Sequence, residues 1–247
     1  MNQNSTLFQK ISAQKNAIAV LIDPEKQQDE AKLIQFIKKA SIAKIDYFFV
    51  GGSTVTRQEL EFTIQILKKT TSTPLVIFPG SYQQISENAD AILYLSLLSG
   101  RNPDYLIGHH VQSAQELFSM DLEVISTAYL LIDGGTKSSV AYVSQTTPIP
   151  QNQKTIVKNT AMAAKMLGKQ LIYLDAGSGA LNTVPLEMIR EIRDIGLPII
   201  IGGGIRAAQT IKDMHDAGAN IVVIGNKLEE DDNFFLEIVG MKQNTQN

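Results

Sequence analysis

The sequence predicts an α/β protein folded as a (β/α)8 barrel of the TIM type, with its active site at the C-terminal ends of the strands. Three observations carry that reading. Eight short apolar runs alternate with helix-period segments along the chain, as expected of parallel strands covered by helices outside and by a filled barrel inside. The length of 247 residues matches the roughly 250 of a single barrel. The last two strand runs end in glycine, at Gly202-Gly203-Gly204 and at Gly225-Asn226. The loops after strands 7 and 8 are where such barrels form a phosphate site.

Taken in order, the strand runs are 17–22 (AIAVLI), 46–50 (DYFFV), 74–79 (PLVIFP), 91–97 (AILYLSL), 124–132 (VISTAYLLI), 171–175 (LIYLD), 198–202 (PIIIG) and 220–225 (NIVVIG). Helices are predicted over 26–39, 56–69, 104–119, 152–167, 185–195, 206–217 and 229–240, where apolar residues return with helical spacing between charged ones. An extra helix over 5–14 would cap the barrel floor. Eight alternations of strand and helix favour closure over an open doubly wound sheet. The segment 133–151 is longer than an ordinary βα connection. On the catalytic face it reads as a lid or a wall of the site. No Pro/Ser-rich or charged linker divides the chain, so one domain is expected over 1–247, with 1–16 as an N-terminal extension or extra helix.

Composition narrows the function. Apolar residues make up 44% and charged ones 19%, ordinary for a globular protein with a full core. A net charge of −3 and no basic stripe interleaved with aromatics give no footprint for nucleic acid. Cysteine is absent, which excludes disulfides and thiolate metal sites and fits an intracellular, cytoplasmic protein. The polar N-terminus lacks the apolar region of a signal peptide, and the longest apolar runs fall far short of the ~20 residues of a membrane span. A soluble protein is expected.

Residues at the strand ends carry the chemistry. Strand 1 ends in Asp23-Pro24-Glu25-Lys26, and Asp23 has two readings of equal standing: a hard oxygen ligand suited to Mg2+, or the cap of a helix starting at Pro24–Glu25. Strand 2 ends in Gly51-Gly52-Ser53-Thr54, where Ser53 either completes a metal site with Asp23 or caps the next helix. After strand 4, Arg101 is a candidate for a diphosphate, because guanidinium grips phosphate oxygens bidentately. Nearby Tyr105, His109 and His110 lack the spacing of a metal motif and read as helix packing or a subunit contact. His215, in the seventh helix, reads as structural. Strand 6 ends in Tyr173-Leu174-Asp175-Ala176-Gly177-Ser178-Gly179. Asp175 is placed to bind or deprotonate a substrate hydroxyl, and Gly177-Ser178-Gly179 to cradle phosphate with backbone N–H groups. With the glycines after strands 7 and 8, three consecutive loops converge on one anion.

The strings LIDPEK, FVGGS, LVIFPGS, YLSLLSGRNPDYLIGHHV, YLLIDGGTKSSV, YLDAGSGA, PIIIGGGI and VVIGN together resemble the geranylgeranylglyceryl phosphate synthase family, archaeal-type ether-lipid enzymes related to the bacterial PcrB-like synthases. The resemblance runs over about residues 17–228. It implies a modified TIM barrel that joins sn-glycerol 1-phosphate to an all-trans prenyl diphosphate with Mg2+, releasing diphosphate. It further implies Asp23 and Ser53 as magnesium ligands, and Tyr173 through Gly179 as the glycerol-phosphate segment. Gly203, Gly204, Gly225 and Asn226 fall in its phosphate loops. One departure stands out: many members carry glutamate where this chain has Asp175, which is one methylene shorter, so a direct contact to the glycerol hydroxyl is expected to become water-bridged. An apolar groove for the prenyl tail is expected among Phe78, Tyr82, Tyr94, Leu97 and Leu98. The resemblance also implies a homo-oligomer, a dimer or hexamer, and, for so lipidic a substrate, at most peripheral contact with a membrane surface.

Three rival readings stay open from the sequence. A PcrB-like synthase would take a longer, heptaprenyl donor and differ only in groove depth. A sugar-phosphate or indole-type isomerase explains the last glycines but gives no role to the strand 1 and strand 6 strings. A non-catalytic phosphate- or lipid-binding barrel leaves Asp23, Ser53 and Asp175 without a purpose.

Overall fold

The computed structural model describes residues 6–244. Eight parallel strands close into a barrel in chain order: β1 (Ala17–Ile22), β2 (Tyr47–Val50), β3 (Leu75–Ile77), β4 (Ala91–Leu97), β5 (Glu123–Leu131), β6 (Leu171–Asp175), β7 (Ile199–Gly202) and β8 (Ile221–Ile224). The seam closes with Ala17 opposite Ile221 and Val20 opposite Ile224. Successive side chains point to opposite faces of a strand, which produces two apolar layers. Ala19, Phe49, Val76, Leu93, Ile125, Tyr173, Ile200 and Val223 fill the barrel. Ile18, Phe48, Ile77, Ile92, Ala128, Leu174, Ile201 and Val222 face the helices.

Helix α1 (Leu7–Ala13) begins with a capping box between Thr6 and Gln9 and buries Leu7 and Ile11 in the inner layer. It covers the barrel floor, as the sequence predicts. The Glu123 carboxylate accepts from the N–H groups of Leu7 and Phe8 at 2.6 and 2.9 Å, satisfying free donors at the positive end of the helix. The earlier residues of the expected extension, and the last three of the chain, lie outside the described residues. The outer helices are α2 (Glu30–Ile42), α3 (Arg57–Thr70), α4 (His109–Phe118), α5 (Ser139–Val143), α6 (Lys154–Met166), α7 (Leu186–Ile192), α8 (Ala208–Ala217), α9 (Asn226–Glu230) and α10 (Asn233–Asn244). None of the described helices is long and apolar enough to cross a membrane.

Three expectations need correction. The helix predicted from residue 26 starts at Glu30, because Asp29 supplies its cap by accepting from the Lys32 N–H. The helix predicted over 229–240 is two helices, parted where the Asp231 carboxylate accepts from Asn233 N–H. The alternation of strand and helix fails once: residues 78–90 join β3 to β4 without a helix. Pro79-Gly80 breaks the backbone there, and Ile85 and Ala89 are too few to make an apolar stripe. The fully buried Gln84 holds this connection. Its amide donates to the Gly52 and Val55 carbonyls and its oxygen accepts from Gly80 N–H, each at 2.9 Å. The ring of helices is therefore open beside β3 and β4.

Candidate active site at the strand C-termini

The eight strand ends surround one cavity of about 430 Å³. Of the residues singled out from sequence, Asp23, Ser53, Tyr173, Asp175, Gly177, Ser178, Gly179, Gly203, Gly204, Gly225 and Asn226 all line it. Leu174 and Ala176 do not; they alternate outward into the layer beneath the helices. Arg101 is not brought to the cavity either. Its guanidinium is spent on the carbonyls of Gly100 (2.6 Å) and Leu98 (3.4 Å), in the turn that leaves β4.

Asp175 sits at the inward-facing end of β6 and is only 8% exposed. Its Oδ2 accepts from the Tyr129 hydroxyl at 2.5 Å and its Oδ1 from the Gly177 N–H at 2.9 Å. Burial pushes its carboxyl above the usual carboxylate range, and those two hydrogen bonds oppose the shift. Tyr173 stacks on Phe78 with centroids 5.0 Å apart and meets Tyr129 edge-on at 5.5 Å. Burial holds both phenols protonated, well above their ordinary value, so they act as donors. A Cβ on Gly202 would fall 2.5 Å from the Tyr173 hydroxyl.

The three glycine loops converge. Gly203 has φ +90° and a Cβ there would meet the N–H nitrogens of Gly177 and Ala176 at 2.7 and 2.9 Å. Only glycine combines that backbone conformation with that approach. Ser178 and Asn226 exchange contacts at 3.3–3.4 Å, joining the β6 and β8 loops. Lys26 reaches across from β1 to donate to Asn226 Oδ1 at 2.9 Å, with Glu229 and Asp23 at 3.9 and 4.0 Å. A cation and several N–H-bearing turns thus face one side of the cavity, a setting for phosphate.

Beside Lys26, Asp23 caps no helix. Its Oδ1 accepts from Glu25 N–H at 3.2 Å within a tight turn, and burial raises its carboxyl while that bond and Lys26 lower it. Ser53 caps no helix either, since Thr56 caps α3. A Cβ on Gly52 would lie 3.1 Å from Asp23 Oδ1, so the bare glycine keeps space against the carboxylate. Among the described residues no group of three or more His, Cys, Asp or Glu is gathered around a metal position. One carboxylate and one hydroxyl suit Mg2+, which keeps waters and takes substrate phosphates as ligands.

The cavity then leaves the barrel through the gap in the helix ring. Phe78, Tyr82, Tyr94 and Leu97 line it as expected, joined by Ile85, Ile92, Ser113 and Leu117. Leu98 faces elsewhere. Tyr105, His109 and His110 also reach this arm, with burial lowering both histidines, so they are neutral, largely apolar wall. His215 lies in α8 with Nδ1 at 3.0 Å from the Ala219 carbonyl, away from the cavity. The long segment 133–151 forms a wall: Ser139, Val140 and Val143 line the cavity, and a bridge between Ile132 and Ile149 closes its base. Sequence reasoning missed Tyr129, Gln84 and Lys26. Tyr129 carried a usable signal, because it shares the inward parity of Leu131 and Ile125 on β5; Gln84, in a loop, carried none.

The sequence profile of the PcrB family matches residues 10–242. The chain is 50% identical over 216 residues to the geranylgeranylglyceryl phosphate synthase of Zunongwangia profunda, covering 87% of this chain and 92% of that protein. It is 45% identical over 236 residues to the synthase of the same name from Chitinophaga pinensis, covering 95% and 93%. Among solved structures it resembles the (S)-3-O-geranylgeranylglyceryl phosphate synthase of Thermoplasma acidophilum in complex with sn-glycerol-1-phosphate. The TM-score is 0.90 at 31% identity, over 97% of this chain and 98% of that one.

Proposed function

This chain belongs to the PcrB family, and from that premise we propose that it is a prenyltransferase joining sn-glycerol 1-phosphate to geranylgeranyl diphosphate, with Mg2+. One observation carries the reading: a single cavity connects the converging glycine loops of β6, β7 and β8 to an apolar arm leaving through the open side of the helix ring. A phosphate at one end and a hydrocarbon chain at the other need that shape.

The glycerol phosphate is held at Gly177–Gly179, Gly203–Gly204 and Gly225–Asn226, where N–H groups and Lys26 neutralise its charge. That places its free C3 hydroxyl toward Asp175. The carboxylate, fixed by Tyr129 and Gly177, orients that hydroxyl and takes its proton as the C–O bond forms. Asp23 and Ser53 would hold Mg2+, which when bound supplies charge neutralisation for the diphosphate leaving group. The allylic C1–O bond breaks as the hydroxyl attacks C1. Phe78 and Tyr173 flank the inner end of the apolar arm, where their ring faces favour positive charge developing on the allyl unit. Holding both substrates in one enclosed cavity supplies much of the acceleration. Calorimetric titration tests the acceptor end alone: glycerol 1-phosphate should bind the wild-type protein and lose about tenfold or more in affinity in Gly203→Ala. Equal binding in both would remove the phosphate assignment.

A further inference from the structure

The helix-free connection after β3 does more than open the apolar arm. It lies flat on the turn that leaves β2, because both backbones are bare at the contact. A Cβ on Gly80 would meet the Gly52 carbonyl oxygen and fall 2.7 Å from Ser53 Cα. A Cβ on Gly51, where φ is +151°, would meet the Phe78 carbonyl. Only glycine permits that approach from both sides. Gln84 locks it through its bonds to Gly52, Val55 and Gly80. The residue this packing delivers is Ser81, which follows Gly80 directly and lines the active cavity together with Ser53 and Thr54.

The three hydroxyls have no structural task. Ser53 and Ser81 are half-buried, yet among the described residues no protein group pairs with the side chain of Ser53, Thr54 or Ser81. Hydroxyls in such turns commonly cap the next helix. Here Thr56 already caps α3, in a capping box with Glu59, and no helix follows β3 to be capped. The barrel order β1-β2-β3 sets Asp23, Ser53 and Ser81 on three consecutive strand ends. Asp23 stands against Gly52 from the β1 side, and Gly80-Ser81 from the β3 side. The cation Lys26 is directed away, to Asn226 on the β8 loop. On the β3 side the side-chain donors facing the cavity are therefore neutral O–H groups.

Resting on the proposed function, we propose that Ser81 is a substrate-binding residue for the donor. Its hydroxyl, with that of Thr54 beside it, donates to the diphosphate on the side of the head group away from Asp23. Phe78 and Tyr82 flank this turn and line the apolar arm, so a head group seated here sends its hydrocarbon chain straight into the arm. The acceptor phosphate sits at the β6–β8 loops, and β3 stands opposite β7 in the closed ring of eight strands. As the allylic C1–O bond breaks, its electron pair passes to the diphosphate oxygen, and a hydrogen bond from Ser81 to the departing group strengthens. Ser81 thus acts on the leaving group, while Asp175 acts on the attacking hydroxyl.

Calorimetric titration of the full chain with inorganic diphosphate in the presence of Mg2+, and separately with sn-glycerol 1-phosphate, tests this without turnover. Ser81→Ala should weaken diphosphate binding about tenfold, the loss expected for a hydroxyl donating to a charged acceptor, and leave glycerol 1-phosphate binding unchanged. Ser81→Thr keeps the donor and should bind diphosphate within about threefold of wild type. In turnover, Ser81→Ala should lower kcat about tenfold or more while KM for glycerol 1-phosphate holds. Diphosphate binding that is equal in wild type and Ser81→Ala would overturn the proposal and leave the proposed function standing. So would a parallel loss of both ligands, which would mark a purely structural role for the turn. A wild-type protein that binds glycerol 1-phosphate but no diphosphate would instead remove the donor assignment, and this contact with it.

Discussion

The Tyr129 hydroxyl donates a 2.5 Å hydrogen bond to Oδ2 of Asp175, while the other carboxylate oxygen is held by the Gly177 N–H at 2.9 Å. The acid is thus buried at the mouth of the barrel, aligned at both oxygens, and left facing the cavity. Desolvation raises its pKa and the two bonds pull it back. A carboxylate both oriented and made more basic is suited to taking a proton from an alcohol.

The pH dependence of turnover follows from that pair. In its proposed role as base Asp175 works ionised, so kcat/KM should fall as pH drops through its native pKa, which lies above the ordinary 3.8. Tyr129→Phe removes a bond that favours the ionised form. The acidic limb should then move to higher pH by roughly one unit. Asp175→Asn should lower kcat by about 10²–10⁴, whereas Asp175→Glu keeps the carboxylate and should stay within about tenfold of wild type. pH–rate profiles of the three variants check these outcomes.

Gly203 and Gly179 separate crowding from backbone strain. Both have positive φ, +90° and +72°, yet a Cβ at Gly203 meets Gly177 N at 2.7 Å and one at Gly179 meets nothing within 4 Å. Gly203→Ala should cost about 1–3 kcal/mol and raise KM for glycerol 1-phosphate about tenfold or more. Gly179→Ala should cost only about 1 kcal/mol with little change in KM. Denaturant unfolding and steady-state kinetics distinguish them.

Gln84 ties the β2 loop to the helix-free connection after β3. Replacing it with leucine leaves the Gly52 and Val55 carbonyls and the Gly80 N–H without partners, at about 1–3 kcal/mol for each buried group. A lowered melting temperature is the first expectation. Since Gly52 borders Asp23, the Mg2+ concentration for half-maximal activity should rise as well.

On the proposed function, the far end of the apolar arm limits the length of the prenyl donor. Ile92 opens β4 and Leu117 nearly ends α4, and both line the cavity, so that end lies toward the barrel floor. Leu117→Trp should shift the preferred donor to shorter prenyl chains while leaving KM for glycerol 1-phosphate unchanged. Product chain lengths measured by mass spectrometry decide it.

How far these features could be read from sequence depends on whether they are periodic. Strands β1, β4 and β6 are marked to the residue by near-continuous apolar runs, because strands packed on both faces leave few polar positions. The proposed phosphate loops are legible because Gly177, Gly179, Gly203 and Gly204 announce backbone conformations that other residues adopt only at a cost. The missing helix left only a faint trace, the Pro79-Gly80 pair and a lack of apolar spacing. Gln84 is invisible because its three bonds go to backbone groups brought together by the fold. Arg101 misled for a related reason: its charge is plain in the sequence, but the turn at Gly100 directs it to carbonyls.

The most direct measurement incubates the purified protein with labelled sn-glycerol 1-phosphate, Mg2+ and a ladder of prenyl diphosphates from C10 to C35, with sn-glycerol 3-phosphate as the control acceptor. A Mg2+-dependent lipid product should form from the 1-phosphate, peak with the C20 donor and be lost in Asp175→Asn. A peak at C35 would keep the chemistry and assign the longer, heptaprenyl donor. No product with any donor, or equal use of the 3-phosphate, would contradict it.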